Sequence, residues 1–314
     1  MFNIKGKKIW VSGHNGMVGR AVVKTLKNYD CEILTVDRHE LDLSRQQKVE
    51  DWMAEHKPDA IVICAAKVGG ILANDTYPAD FIYNNIILET NIINAAYEQK
   101  VKKLVFLGSS CIYPKLAEQP IKENDLLSGH LEETNQWYAI AKIAGIKLCQ
   151  AYRKQHGCDF ISAMPTNLYG PHDNFNLETS HVIPALIRKT CEAKAANASE
   201  LIVWGSGTPR REFLHVDDCA EGIVFLLENY SNDSHVNLGT GQDVTIYELA
   251  ELIKEAIEFK GNIVFDPSKP DGPPQKCLDV SLMKSLGWQS RIMFQEGLQD
   301  TIKWFYKNCN SLYK

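Results

Sequence analysis

The chain has 314 residues, of which 45% are hydrophobic and 23% are charged, and its formal net charge is −5. This length predicts two lobes or one enlarged domain, and the composition is ordinary for a soluble globular protein. The small negative charge argues against a nucleic-acid partner, and no apolar run is long enough to cross a bilayer. Residues 1–8 are polar and basic and lead into a strand without a signal-peptide core, so we expect a cytoplasmic protein.

The first predicted strand, residues 8–12, runs into a glycine-rich loop and then into a helical pattern. The loop reads Gly13-His14-Asn15-Gly16-Met17-Val18-Gly19. Its three glycines suit a tight turn, a close approach of the backbone to a pyrophosphate, and close packing of helix on strand. The N-terminus of the helix offers free N–H groups to a phosphate. We predict a dinucleotide site here; the alternative is a glycine-rich turn that binds nothing. The G-x-x-G-x-x-G spacing resembles the extended short-chain dehydrogenases/reductases.

A second strand is predicted at residues 32–36 and ends at Asp37-Arg38, about 20 residues beyond the glycines. An acidic side chain at this point can bind the ribose 2′-hydroxyl of NAD, and an arginine can accept the 2′-phosphate of NADP. Because both residue types are present, the strand end does not decide between NAD and NADP. An ordinary polar strand end is the alternative.

The alternation of strand and helix continues for the first half of the chain. We predict helices at 44–56 and 75–98 and strands at 60–65, 103–107 and 160–164. Apolar strands separated by helices predict a Rossmann-like, doubly wound parallel sheet of the α/β class, with ligands beyond the carboxyl ends of the strands. The regular alternation of strand and helix patterns ends after Gly170. We therefore expect a cofactor-binding domain at 1–170, a return segment near 213–240, and a smaller mixed α/β substrate domain at 171–314.

A catalytic group is predicted where Tyr138 and Lys142 lie four apart on one helix face. A nearby ammonium lowers a tyrosine pKa, which would let the phenol pass a proton near neutral pH. The alternative is a solvated helix face. Ser109 follows the strand at 103–107, where it can hydrogen-bond a substrate carbonyl. Together with the glycine loop, these residues predict hydride transfer in which Tyr138 donates the proton and Lys142 holds the ribose.

Several longer stretches go beyond the superfamily. They are residues 66–71, 74–83, 108–114, 165–175 and 204–213. They closely resemble the GDP-L-fucose synthase family, the 3,5-epimerase/4-reductases acting on GDP-4-keto-6-deoxy-D-mannose. The resemblance covers nearly the whole chain and implies a homodimer that binds a GDP-sugar. The family often carries arginine where this chain has Asn15. That departure and Asp37 argue against strict use of NADPH, Arg38 argues for it, and we expect NADP(H).

The expected cofactor contacts extend beyond the glycine loop. They are Asp37, Arg38, Leu107, Gly108, Ser109, Ser110, Lys142, Pro165, Thr166, Asn167, Leu168 and His181. Nine cysteines with no Cys-x-x-Cys spacing predict neither a disulfide framework nor a zinc centre, and we expect no metal.

Epimerisation needs residues that a simple reductase does not. A C4 ketone acidifies the protons on C3 and C5, and inverting each centre takes a base on one face of the ring and an acid on the other. A cysteine and a histidine can serve. The resemblance puts these roles on Cys111 and His181, without deciding which is the base. The alternatives are a small buried thiol and a helix-start histidine bonded to backbone.

The resemblance also implies four contacts to the GDP-sugar. They are Lys189, Trp204, Arg211 and Asp271. An arginine suits a diphosphate by bidentate bonding, whereas the aspartate lies in a predicted turn, Lys269-Pro270-Asp271-Gly272, and an ordinary turn role is equally expected for it.

Three other functions compete with this interpretation. A 4-reductase without epimerisation would not need both Cys111 and His181. A 4,6-dehydratase would need a carboxylate near Ser109, and the Ser110-Cys111-Ile112 run offers none. A non-catalytic dinucleotide-binding regulator usually loses the tyrosine or the lysine, and this chain has both.

Overall fold

The structure is a computed structural model that describes residues 1–269 and 271–309. Its strands are β1 Lys8–Ser12, β2 Glu32–Leu34, β3 Ala60–Ile63, β4 Lys103–Leu107, β5 Phe160–Pro165, β6 Asn167–Tyr169, β7 Glu200–Trp204, β8 Arg210–His215, β9 Val236–Leu238, β10 Asp243–Thr245, β11 Asn262–Asp266 and β12 Gln275–Lys276. Its helices are α1 Met17–Leu26, α2 Gln46–His56, α3 Ile71–Thr76, α4 Pro78–Glu98, α5 Gln136–His156, α6 Val182–Ala195, α7 Val216–Asn229, α8 Ile246–Ile257, α9 Ser281–Leu286 and α10 Phe294–Asn308. Short 3-10 turns lie at Ser110–Ile112, Glu123–Asp125 and Glu133–Asn135.

The main sheet has the strand order β2-β1-β3-β4-β5-β9, and every pair in it is parallel. Successive strand residues point to opposite faces, so Ile9 and Val11 pack with α1 and α7 while Trp10 packs with α2 and α4. Both faces are therefore covered by helices, and apolar residues fill the strands without alternation. The predicted Rossmann-like, doubly wound sheet is confirmed.

The last strand of this sheet comes from far along the chain. Ala163 on β5 pairs with Val236 on β9, and the preceding α7 packs against α1. This placement agrees with a segment near 213–240 that returns to the first domain. The boundary at residue 170 stays a prediction.

A second set of elements builds a smaller core. Antiparallel β10 and parallel β12 flank β8, which also pairs with β6, and β7 pairs with β11. Buried residues of α6, α8 and α10 pack together beside these strands. None of the helices in the described part of the chain is long and apolar enough to span a membrane.

Element boundaries differ from the predicted ones in a few places. The helix predicted at 75–98 is two helices, α3 and α4, which meet at Tyr77–Pro78. Proline lacks an N–H and restricts the residue before it, so it ends one helix and suits the first turn of the next. The strands predicted at 32–36 and 60–65 end early, at Leu34 and Ile63, and the helix predicted from 44 begins at Gln46.

Candidate active site

The glycine loop joins β1 to α1 as predicted. Gly13 has φ +73°, and a Cβ atom there would lie 2.7 Å from the backbone of Ala65. A Cβ atom on Gly19 would lie 2.2 Å from the Gly13 carbonyl oxygen. Gly16 is the N-cap of α1, whose N-terminus has neither a side-chain cap nor an acidic residue in its first turn. The Gly16 N–H donates to the Gly13 carbonyl oxygen at 3.0 Å. The N–H groups of Met17 and Val18, at the start of the helix, are therefore the ones that can bind a phosphate group, and the loop fits a dinucleotide.

The residues after β2 lie beside this loop. The Asp37 carboxylate accepts a hydrogen bond from Asn15 Nδ2 at 2.5 Å, and His14 Nε2 lies 3.4 Å from it. The Arg20 guanidinium in turn donates to the Asn15 carbonyl oxygen at 2.9 Å. Arg38 is exposed next to them. The aspartate is therefore already bonded within the loop, while the arginine faces solvent.

Tyr138 and Lys142 lie on α5, as the helical spacing predicts. The buried Lys142 places its ammonium 4.6 Å from the Phe106 ring centroid and 5.9 Å from that of Tyr138. Lys142 Nζ also lies 3.5 Å from Glu89 Oε2 on α4. Burial raises the pKa of Glu89 to about 7, although the lysine pulls it down.

The predicted direction of the Tyr138 pKa shift is wrong. Burial raises that pKa well above its usual value, and the neighbouring Cys111 and Glu89 raise it further. Lys142 lies where the spacing predicts, but the negative charge of Glu89 offsets its positive charge. Burial then disfavours the charged phenolate more than Lys142 stabilises it. Tyr138 is therefore a neutral phenol, which suits a proton donor.

Ser109 and Cys111 lie just beyond the carboxyl end of β4. The Ser109 hydroxyl caps the following 3-10 turn, accepting a hydrogen bond from the Cys111 N–H at 3.4 Å. Burial raises the pKa of the Cys111 thiol, while the Lys276 ammonium, the Ser109 hydroxyl and Lys142 act in the opposite direction. The thiol borders a pocket that also contains Glu132, Asn135 and Gln275.

His181 lies at the N-cap of α6 and its side chain makes no cap bond to that helix. The residue as a whole is exposed, yet burial of its ring by the surrounding protein lowers the pKa of the imidazole, and the charge of Lys276 lowers that pKa further. The Lys276 ammonium thus acts on both Cys111 and His181. The alternative, in which the His181 side chain bonds to the backbone at the start of α6, is not observed.

The remaining predicted cofactor residues lie along the carboxyl edge of the sheet. Pro165 ends β5, the Thr166 N–H donates to the Leu238 carbonyl oxygen at 3.0 Å, and the Asn167 amide donates to the Glu212 carbonyl oxygen at 2.8 Å. Leu168 continues on β6, while Leu107, Gly108 and Ser110 surround Ser109 at the end of β4.

The four residues expected to contact the GDP-sugar form a second group. Lys189 Nζ lies 4.6 Å from the ring centroid of Trp204, and Arg211 donates to the Asp271 carbonyl oxygen at 3.0 Å. The Asp271 carboxylate accepts from the N–H and hydroxyl of Ser206 at 2.8 and 2.9 Å. The aspartate thus holds a turn beside the arginine, and its direct contact with substrate stays a prediction. Pro270 of the predicted turn lies outside the described residues.

Comparisons with known proteins give this arrangement a context. Residues 9–239 match the model of the NAD dependent epimerase/dehydratase family. The GDP-L-fucose synthase of Sinorhizobium fredii is 56% identical over 308 residues, covering 98% of each chain. That of Escherichia coli is 53% identical over 312 residues, covering 96% of this chain and 97% of the relative. The chain belongs to the NAD dependent epimerase/dehydratase family, among the GDP-L-fucose synthases.

A solved structure supports the same placement at the level of the fold. A GDP-L-fucose synthetase from Naegleria fowleri, bound to NADP, superposes with a TM-score of 0.91 at 29% identity and covers 99% of this chain and 97% of its own. The resemblance predicted from the sequence stretches is confirmed.

Two residues of this site were not predicted from the sequence, Lys276 and Glu89. Lys276 lies on a two-residue strand far from Cys111 along the chain, and nothing in its local pattern marks it. Glu89 is completely buried, and it is an acid in a mostly apolar helical stretch. An acidic residue in such a stretch is seldom buried without a partner, so its sequence position could have indicated a buried ion pair.

Proposed function

We propose that the protein epimerises C3 and C5 of GDP-4-keto-6-deoxy-D-mannose and then reduces C4 with NADPH, giving GDP-L-fucose. One observation supports this above the others: α5, which carries Tyr138 and Lys142, packs on the turn at the carboxyl end of β4, where the Cys111 N–H is bonded to the Ser109 hydroxyl. The charge of Lys276 acts on both Cys111 and His181 at the same place. Relatives at 53% and 56% identity over nearly the full chain are GDP-L-fucose synthases.

In the epimerisation half, Cys111 and His181 exchange protons with carbon. The raised thiol pKa and the lowered imidazole pKa leave both groups uncharged at neutral pH, so one is ready to donate and the other to accept. The Lys276 ammonium beside them stabilises the negative charge that develops on the sugar or on the thiolate.

In the reduction half, bound NADPH supplies the hydride that reaches C4. The Ser109 hydroxyl and the Tyr138 phenol hydrogen-bond the C4 oxygen, and Tyr138 transfers its proton as negative charge grows there. Lys142, fixed between Phe106 and Glu89, holds the cofactor ribose next to the phenol. We assign NADP rather than NAD because Arg38 is exposed after β2 while Asp37 is bonded to Asn15.

The GDP moiety is assigned to the second group of residues. Arg211 suits a diphosphate through bidentate bonding, Lys189 adds a point charge, and Trp204 offers an exposed aromatic face. Arg211 lies close enough to Lys276 for its positive charge to lower the lysine pKa, so this group borders the catalytic one.

We further propose a homodimer that pairs through α4 and α5. Both helices carry large apolar side chains at the surface: Tyr83, Trp137 and Ile140 are 65%, 39% and 38% exposed. A cytoplasmic location suits the free thiols of this chain, Cys111 among them.

The decisive experiment is NMR of the product formed from GDP-4-keto-6-deoxy-D-mannose and NADPH in D₂O. We expect GDP-L-fucose with solvent deuterium at C3 and C5. Reduced sugar without deuterium would indicate a simple 4-reductase. No oxidation of NADPH by the folded protein, followed at 340 nm, would refute the enzyme assignment and favour a dinucleotide-binding regulator.

A further inference from the structure

The loop after β3 reaches across to the segment that precedes His181. The Gly70 N–H donates to the Thr179 carbonyl oxygen at 2.9 Å. A Cβ atom on Gly70 would lie 2.4 Å from the Ser180 carbonyl oxygen. Gly70 has φ −67°, which any residue adopts, so space rather than conformation demands glycine here. The two backbones are in direct contact, with no room for a side chain between them.

Two buried asparagines hold this loop from behind. Asn74 Nδ2 donates to the carbonyl oxygens of Gly69 and Gly70 at 2.8 and 3.0 Å. The Asn85 amide accepts from the Lys67 N–H at 2.8 Å and donates to its carbonyl oxygen at 3.0 Å. These asparagines are 4% and 0% exposed, so moving the loop would leave buried polar groups unpaired.

The segment on the far side is a tight turn that leads directly to the imidazole. The N–H groups of Thr179 and Ser180 both donate to the Asn176 carbonyl oxygen, at 3.2 and 2.8 Å. Asn174 Nδ2 donates to the Thr179 hydroxyl at 2.8 Å. His181 comes next and starts α6. The position of its backbone is therefore set by the turn that rests on Gly70.

We propose that Gly70 is a positioning residue for His181, and that the Gly70–Thr179 contact sets the distance between that imidazole and Cys111. The inference rests on the proposed epimerisation, in which the two groups act on opposite faces of one sugar ring. The atoms nearest to a Cβ on Gly70 belong to Thr179 and Ser180, so its effect passes through the backbone that leads to His181. Reacting groups lose rate steeply when they are displaced by about 1 Å, by up to roughly a hundredfold.

Gly70→Ala tests the proposal, because its methyl group must push the Ser180 backbone away. With GDP-4-keto-6-deoxy-D-mannose and NADPH in D₂O, we expect deuterium uptake at C3 and C5 to fall roughly ten- to a hundredfold. Hydride transfer to C4 should fall much less. The product should therefore shift toward a 6-deoxy sugar that keeps the substrate configuration at C3 and C5. Val68→Ala, which shortens an exposed side chain of the same loop, should keep the wild-type product.

A second variant covers the case in which Gly70→Ala does not fold. Asn74→Ala removes the donors that hold Gly69 and Gly70 without adding an atom near Ser180, and it should produce the same shift to a smaller degree. Thermal unfolding and NADPH binding are measured for each variant. The proposal is overturned if deuterium uptake and hydride transfer fall by the same factor, or if neither changes. A wild-type protein that does not turn over the keto-sugar would instead refute the proposed function.

Discussion

The Lys142 ammonium lies 3.5 Å from the Glu89 carboxylate, and both side chains are buried between α4 and α5. The other Glu89 oxygen, Oε1, has no hydrogen-bond partner among the described residues. The negative charge of Glu89 raises the pKa of the Tyr138 phenol and of the Cys149 thiol. The Gly145 N–H stabilises that charge and lowers the pKa of Glu89. The charge on Glu89 therefore offsets the effect of the Lys142 ammonium on the pKa of Tyr138.

Glu89→Gln should change the pH dependence of the reduction. Burial raises the pKa of Glu89 to about 7, so the carboxylate is charged above that pH and protonated below it. A charged Glu89 raises the pKa of Tyr138 and makes it a weaker acid, so wild-type hydride transfer should quicken as pH falls through 7. The variant should lack this step. Single-turnover NADPH oxidation between pH 6 and 8 measures this change, and we expect the wild-type rate to differ on the order of severalfold across that range.

Glu123→Gln is the matched control, because Glu123 is another acid whose pKa burial raises but it accepts from the Asn237 N–H away from Tyr138. It should keep the wild-type profile. A step near pH 7 that persists in Glu89→Gln would show that another group titrates there.

Much of this site followed from local sequence features. The glycine loop, the apolar strands and the Tyr138–Lys142 spacing each act over a few residues, so their elements and order were predictable. Lys276 was not, because its neighbours Cys111 and His181 come from distant elements. The sign of the Tyr138 pKa shift also depends on burial and on Glu89, neither of which is a property of the Tyr-x-x-x-Lys spacing.

Tyr138→Phe should separate reduction from epimerisation. Losing a general acid slows the step it serves by roughly a hundredfold or more, so hydride transfer should nearly stop. Deuterium exchange at C3 and C5 should continue because Cys111 and His181 are untouched. NADPH binding, followed by fluorescence, and proton NMR of the recovered sugar measure the two outcomes. Tyr29→Phe, which changes an exposed tyrosine outside α4 and α5, serves as the control, and wild-type reduction in Tyr138→Phe would refute the acid role.

Cys111→Ser should have the opposite effect. A serine hydroxyl is a far weaker acid than a thiol, so deuterium uptake at C3 and C5 should fall by roughly a hundredfold while NADPH still binds. Cys149→Ser is the matched control, because Cys149 is another buried thiol, on α5, and is not among the residues that line the pocket of Cys111. Unchanged deuterium uptake and product stereochemistry in Cys111→Ser would show that another group moves the protons.

Arg38→Ala should narrow the preference for NADPH over NADH. A hydrogen bond between charged groups contributes about 1.5–3 kcal/mol, so losing the 2′-phosphate contact should raise the KM for NADPH at least roughly tenfold and leave that for NADH unchanged. Asp37→Asn provides the contrast: because the Asp37 carboxylate is already bonded to Asn15, this change should not raise the KM for NADPH. His39→Ala changes the exposed neighbour and should leave both constants as they are. If Arg38→Ala keeps the wild-type ratio of the two KM values, the 2′-phosphate is bound elsewhere, and Arg38 is an ordinary surface residue.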